Sequence, residues 1–191
     1  MLIAKTNCLN ENQADILCWN AFKQGDRQAF DTLFRRHYSL LFQYGSKLCP
    51  EREVLEDSIQ ELFIELWQSP SATPIQSVKA YLLKALKYKL FKQLKPSRTL
   101  RPVDKLEDEM SFIISHEDFI IEEEERKRSV YQVTNAINRL PNRQKEIIYL
   151  KIYQALDYEE ISEVMNINYQ VARNLFYQAI KSLRSLITES R

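Results

Sequence analysis

Glycine is almost missing from this 191-residue chain, where Gly25 and Gly45 are the only two. A loop that cradles phosphate needs several glycines within a few residues, so neither a P-loop nor a dinucleotide-binding turn can be built here. Tight hairpins also lean on glycine, which counts against an all-β fold. Histidine is as scarce: His37 and His116 are far apart and neither stands in a metal-spaced cluster. The three cysteines, Cys8, Cys18 and Cys49, make no close pair, which argues against a disulfide framework and a Cys-rich zinc site. No nucleophile elbow or acid–base pair is recognisable, so the sequence points away from an enzyme and implies no metal and no cofactor. No run approaches the ~20 apolar residues that span a bilayer, and the first seven residues lack the apolar core of a signal peptide. A reduced, cytoplasmic protein without membrane insertion is the expectation.

What is present favours helices. The chain is 45% hydrophobic and 28% charged, which suits a folded protein. Leu, Lys, Glu, Gln and Ala are abundant. The formal net charge of +1 conceals a segregation along the chain. Residues 1–70 carry a net −3, 71–105 a net +8, 106–125 a net −9 and 126–191 a net +5. Such blocks suggest two surfaces that face a polyanion and an acidic spacer between them.

Hydrophobic spacing divides the chain further. Gly25 closes a helix over roughly 12–24, and Asp26 caps the next. That helix shows Phe30, Leu33, Phe34, His37, Leu41, Tyr44 and Leu48 on one face, and Cys49-Pro50 ends it. Another carries Val54, Leu55, Ile59, Leu62, Phe63, Leu66 and Trp67 and stops before Pro70. After a proline-bearing loop, a third runs from about Ser77 to Lys95. Residues 96–125, with Pro102 and two acidic runs, read as a linker. Helices follow at about 123–138, 141–153, 157–165 and 169–187, with Asp157 (followed by Glu160 in a capping-box spacing) and Asn168 as N-caps. The fold class is therefore all-α: two helical domains joined by an acidic linker.

Two helices carry the chemistry. In the helix at 77–95, Val78, Tyr81, Leu82, Ala85 and Leu86 form the expected buried stripe. Lys84, Lys87, Lys92 and Lys95 then spread over the remaining surface with Tyr88 and Phe91 among them. Lysines attract phosphate without reading sequence, and aromatic faces stack unpaired bases, so the combination suits partly single-stranded DNA. Residues 157–187 fit a helix-turn-helix. Ile161, Val164 and Met165 point inward from its first helix, and Val171, Leu175, Ile180, Leu183 and Ile187 from its second. Tyr169, Gln170, Arg173, Asn174, Tyr177 and Gln178 then face out toward base edges, with Lys181 and Arg184 placed for phosphates.

At this point a family resemblance appears. Residues 19–95 and 126–187 resemble the sigma-70 family factors of bacterial RNA polymerase, in the small extracytoplasmic-function group. The matching strings are Gly25 to Tyr38, Glu56 to Trp67 and Val78 to Leu83, then Leu140 to Gln144, Tyr158 to Ile161 and Ala179 to Arg184, in that order. The lysine-rich style and Arg173-Asn174-Leu175 are similar to the sigma factors of Bacteroidetes. The resemblance implies three segments: 1–95 as a region 2-like domain, 96–125 as the connector and 126–191 as a region 4-like domain. It implies that Asp57, Gln60, Glu61, Phe63 and Glu65 dock on a coiled coil of the β′ subunit of core polymerase. It further implies that Lys84, Lys87, Tyr88, Phe91, Lys92 and Lys95 meet the opened −10 element of promoter DNA. The second domain would read the −35 element and hold the β flap, and an anti-sigma factor would be a further partner. Two departures stand out. Tyr88 and Lys92 replace the family's usual Asn and acidic residue, and Val171 and Leu175 replace its usual Thr and Arg, so an unusual promoter preference is expected. The rival reading is a stand-alone helix-turn-helix regulator that binds duplex DNA without polymerase.

Overall fold

The computed structural model describes residues 2–69, 74–94, 111–115 and 124–189, with side chains for 11–69, 74–94, 111–115 and 130–188. The chain divides into two compact units, Met1–Ser97 and Arg98–Arg191. All regular elements among the described residues are helical.

The first unit holds α1 (Leu2–Lys23), α2 (Arg27–Gly45), α3 (Arg52–Gln68) and α4 (Val78–Leu94). The α1 helix starts about ten residues earlier than hydrophobic spacing suggests. It ends as expected at Gly25, whose φ of +93° is a conformation that glycine adopts without strain. There the N–H of Asp26 bonds to the carbonyl of Ala21 and that of Gly25 to Phe22, the paired bonds that close a helix. Asp26 then caps α2 by accepting from the N–H groups of Gln28 and Ala29. The α2 helix packs on α3 and α4, and α1 covers α2 and α4. Gly45 permits the close approach: a Cβ there would lie 2.3 Å from Leu55 Cδ1 and 3.3 Å from Leu86 Cδ2. Trp19, Phe22, Leu33, Leu41, Tyr44, Ile59, Leu82, Leu86 and Leu90 fill the core.

A polar cluster pins α1 to α2. Asp15, 8% exposed, has Arg36 Nη1 at 2.9 Å and His37 Nε2 at 3.0 Å. Burial raises the Asp15 pKa, but His37 and Arg36 outweigh it and bring the net shift below the ordinary value.

The second unit contains α5 (Glu124–Asn138), α6 (Asn142–Ile148), a wide π-type turn (Tyr149–Tyr153), α7 (Tyr158–Val164) and α8 (Tyr169–Glu189). The single helix expected over 141–153 thus changes geometry at Tyr149, where Gln154 N–H reaches the carbonyl of Tyr149. The α8 helix packs against α5, α6 and α7. Of the stretch read as a linker, Ser111–Ser115 has no regular secondary structure and is docked on this unit. Phe112 and Ile114 are each 1% exposed, and the Phe112 ring meets Tyr149 edge-on at 5.6 Å. Asn138 brackets the Ile114 backbone, accepting from its N–H (3.1 Å) and donating to its carbonyl (2.7 Å). Those five residues are therefore part of a folded unit; residues 95–110 and 116–123 of the acidic stretch lie outside the described ones.

Candidate functional site

The expected site residues fall on three surfaces. The first spans α2 and α3. Asp57, Glu61 and Glu65 recur every four residues along α3, so helix geometry puts them on one edge, and all three are exposed. Lys89 of α4 meets this edge, with Nζ 3.0 Å from Glu61 Oε2 and 2.8 Å from Glu65 Oε1. Partial burial lowers the Lys89 pKa, but the two carboxylates outweigh it and raise the net value. Nothing in the spacing of α4 signals this bridge, because it depends on how α3 and α4 cross.

Alongside, α2 and α3 line a groove of about 580 Å³ with Phe30, Phe34, Gln60, Phe63, Ile64 and Trp67 among its walls. Phe63 is buried and forms the floor, its ring edge-on to Phe34 at 4.9 Å and Phe30 at 5.8 Å. Ile64 and Trp67 are 54% and 44% exposed. Large apolar side chains left open beside a charged edge are the makings of a protein-docking surface. Of the five expected docking residues, Asp57, Gln60, Glu61 and Glu65 thus reach solvent, whereas Phe63 shapes the groove from beneath.

The second surface is a strip on α4. Lys84, Tyr88 and Lys92 are exposed at four-residue spacing, Tyr88 by 59%, and Phe91 is half-buried beside them. Lys87, expected on this surface, is instead buried at 4% exposure. The reason is packing: α4 touches α1, α2 and α3, so its buried arc also takes in Ala80, Leu83 and Leu90, leaving Tyr81 and Ala85 half-buried at its margin. Lys95 lies outside the described residues.

The third surface is the outer face of α8. Asp157 and Glu160 form a reciprocal capping box that starts α7. Asn166, at a φ of +50°, makes the turn, and Asn168 Oδ1 accepts from Val171 N–H at 2.8 Å to start α8. Ile161, Val164 and Met165 are buried as expected. Val171 is not: it is 43% exposed, and the inward places go to Ala172 and Ala179, with Leu175, Ile180, Leu183 and Ile187 half-buried. Phe176 and Tyr169 grip the Tyr158 ring from α8, at 6.2 and 5.9 Å, while Lys151 Nζ lies 4.5 Å from that ring's centre. Tyr169 thus serves packing between α7 and α8 while staying 42% exposed. Gln170, Arg173, Asn174, Tyr177, Gln178, Lys181 and Arg184 are all exposed.

Among the described residues no three His, Cys, Asp or Glu side chains gather to hold a metal, and no helix is long and apolar enough to cross a membrane.

Comparison with known proteins agrees with this geometry. Residues 33–98 match sigma-70 region 2, a span that holds the α3 side of the groove, Phe34 of α2 and the α4 strip. Residues 131–183 match sigma-70 region 4, which covers the helix-turn-helix. The RNA polymerase sigma factor SigV of Bacillus subtilis is 24% identical over 154 residues, 80% of this chain and 84% of that protein. Two solved structures share the fold. CnrH, solved in complex with the cytosolic domain of CnrY, superposes with a TM-score of 0.62 at 17% identity, covering 93% of this chain and 99% of that one. The sigma factor RpoE, solved with the anti-sigma factor NepR from Bartonella quintana, gives 0.56 at 20% identity, covering 85% and 98%. The region 2 match also weighs against a stand-alone regulator, which has no use for that domain. With region 2 and region 4 in the family's order on its two compact units, the chain belongs to the sigma-70 family of RNA polymerase sigma factors, in the extracytoplasmic-function group.

Proposed function

We propose that each of the three surfaces has its own partner in promoter-dependent transcription initiation. The groove of α2 and α3, with Asp57, Gln60, Glu61 and Glu65 at its edge and Phe63 beneath, docks on the β′ subunit of core RNA polymerase. The α4 strip of Lys84, Tyr88, Phe91 and Lys92 takes the opened −10 element, and Lys95, outside the described residues, is assigned to the same contact. The outer face of α8 reads the −35 element, and its unit engages the β flap. The 1–95 and 126–191 domains then divide the work, with residues 96–125 connecting them.

The observation that carries this reading is the clustering of exposed Asp57, Gln60, Glu61 and Glu65 beside a half-open aromatic groove. An acidic edge next to apolar side chains suits a basic, amphipathic helix of a partner. The chain itself does no chemistry; polymerase is the enzyme, and this subunit supplies address and strand opening in the cytoplasm. The structure of RpoE with the anti-sigma factor NepR supports a further partner for this chain, an anti-sigma protein.

The test is binding to purified core polymerase with the double variant Asp57→Lys, Gln60→Ala, whose two sites are exposed. Affinity should fall at least about ten-fold while the helical circular-dichroism spectrum stays unchanged. Unaltered affinity would refute the assignment of this surface.

A further inference from the structure

We propose that the second unit carries a binding site for an apolar–any–apolar peptide segment, and that the chain fills it with its own Phe112-Ile113-Ile114. The seat anchors the connector, so the span between the two domains ends at residue 110 rather than at 125. The inference rests on the reading of 96–125 as the connector and moves its boundary. The seat reads main chain. Asn138 makes a reciprocal pair with one residue: its Oδ1 accepts from Ile114 N–H at 3.1 Å, and its Nδ2 donates to the Ile114 carbonyl at 2.7 Å. Asn142 Oδ1 accepts from Phe112 N–H at 3.3 Å. A side-chain amide that satisfies both polar groups of one residue does what a neighbouring strand does in a sheet. Such bonds are indifferent to the ligand's side chains, so burial must supply the selectivity. Phe112 and Ile114 are enclosed, while Ile113 between them is 57% exposed. Main-chain bonds combined with pockets for alternate side chains are the terms on which peptides are recognised.

The walls are built by the unit itself. Tyr149, which meets the Phe112 ring, is stacked on Tyr153 at 5.3 Å, and its hydroxyl accepts from Gln154 Nε2 at 3.1 Å. The π-type turn therefore presents one side of the Phe112 pocket. Thr134 stands one turn before Asn138 on α5, buried with its hydroxyl unpartnered. It adds a third polar side chain to the row of Asn142 and Asn138, in the direction in which the segment runs.

The sequence holds the same tripeptide a second time, at Phe119-Ile120-Ile121. Chain length decides which copy can serve in cis. Asn138 lies about 21 Å along α5 from Glu124, whereas three steps of chain from Ile121 to Glu124 span only about 10 Å. The second copy therefore cannot reach the asparagines while α5 is intact, and the first can. Residues 116–123 are then bracketed on both sides by one unit, so Glu117, Asp118, Glu122 and Glu123 travel with it. From Leu94 the chain spans at most about 60 Å to Ser111, against about 105 Å to Glu124. The seat thus removes almost half of the connector's reach.

The experiment uses the full chain and has two arms. In the first, amide exchange of the wild type should be slowed at Phe112 and Ile114 by at least about 100-fold against the rate of an unstructured peptide. Asn138→Ala should return Ile114 close to that rate while the first unit keeps its protection. In the second, the double variant Phe112→Ser, Ile114→Ser empties the seat. A fluorescent peptide of residues Glu109–Glu117 should bind this variant at least about ten-fold more tightly than the wild type, whose own segment competes from within. An unlabelled peptide of residues His116–Glu123, which carries the second copy, should displace it. Exchange of the wild type at the unstructured rate would overturn the proposal. Equal binding of the peptide to both chains would do so too, as would binding to neither when the variant keeps its helical spectrum. If the variant loses that spectrum, the wild-type exchange decides alone. Neither arm involves polymerase, so a failed seat leaves the connector reading standing, and a chain that does not bind core removes that reading without touching the seat.

Discussion

Lys89 Nζ on α4 lies 2.8 Å from Glu65 Oε1 on α3, and the same ammonium holds Glu61 at 3.0 Å. The helix proposed to face DNA is thereby tied to the edge proposed to face polymerase. The lysine is mostly buried and the glutamates mostly exposed, so the bridge stabilises modestly. Lys89→Met should lower the unfolding free energy by no more than about 1 kcal/mol, with the loss shrinking as salt is added. Because the folded-state pKa of Lys89 is raised, its contribution is full below the ordinary lysine range and fades only as pH rises through the shifted value. Urea titrations at two ionic strengths, at neutral and at alkaline pH, measure both effects.

Asp15 sets an acid-sensitive contact in the same unit. Its carboxyl is held below the ordinary value by His37 and Arg36 despite the opposing effect of burial. A depressed carboxylate contributes stability above its unfolded-state pKa, about 3.9, and loses it as pH falls through the folded value. Asp15→Asn should therefore cost about 1–3 kcal/mol at pH 7. The gap between the two proteins should narrow below about pH 4, as followed by chemical denaturation across that range.

Asn168 starts the recognition helix by accepting from Val171 N–H. Replacing an N-cap by alanine costs about 1 kcal/mol, and here the loss falls on the turn that sets the angle of α8. Asn168→Ala should fray the first turn of α8, visible as faster amide exchange at Val171, and should weaken duplex binding about five-fold. Asn168→Ser should restore most of both.

Tyr88 is 59% exposed on α4, and on the proposed −10 contact its ring stacks on an unpaired base. Base–aromatic stacking is worth about 1–3 kcal/mol, so Tyr88→Ala should weaken binding to single-stranded −10 oligonucleotide by about ten-fold or more. Tyr88→Phe should keep the affinity, because the ring and not the hydroxyl does the stacking. Fluorescence anisotropy of holoenzyme with labelled oligonucleotide distinguishes the two.

Local chemistry made parts of this fold legible before any coordinates. Asp26, Asp157 and Asn168 cap their helices where spacing placed them, since a cap needs only residues within one turn. Exposed Gln170, Arg173, Asn174 and Tyr177 likewise follow from the period of one helix. Burial that depends on several neighbours was not legible. A three-sided environment buries Lys87, and the small Ala172 and Ala179 take the contact expected of Val171. The Lys89 bridge and the half-open Trp67 each require two elements to be placed together. Ser111–Ser115 is too short for periodicity to show, and its anchoring comes from Asn138 and Asn142, more than twenty residues away.

Run-off transcription tests the central claim most directly, using purified core polymerase, the full chain and a template bearing a promoter selected by the holoenzyme. The account predicts a discrete transcript that requires the chain, starts at one site and disappears when the −10 or −35 element is replaced. No transcript from any selected template, together with tight and specific duplex binding by the chain alone, would contradict it.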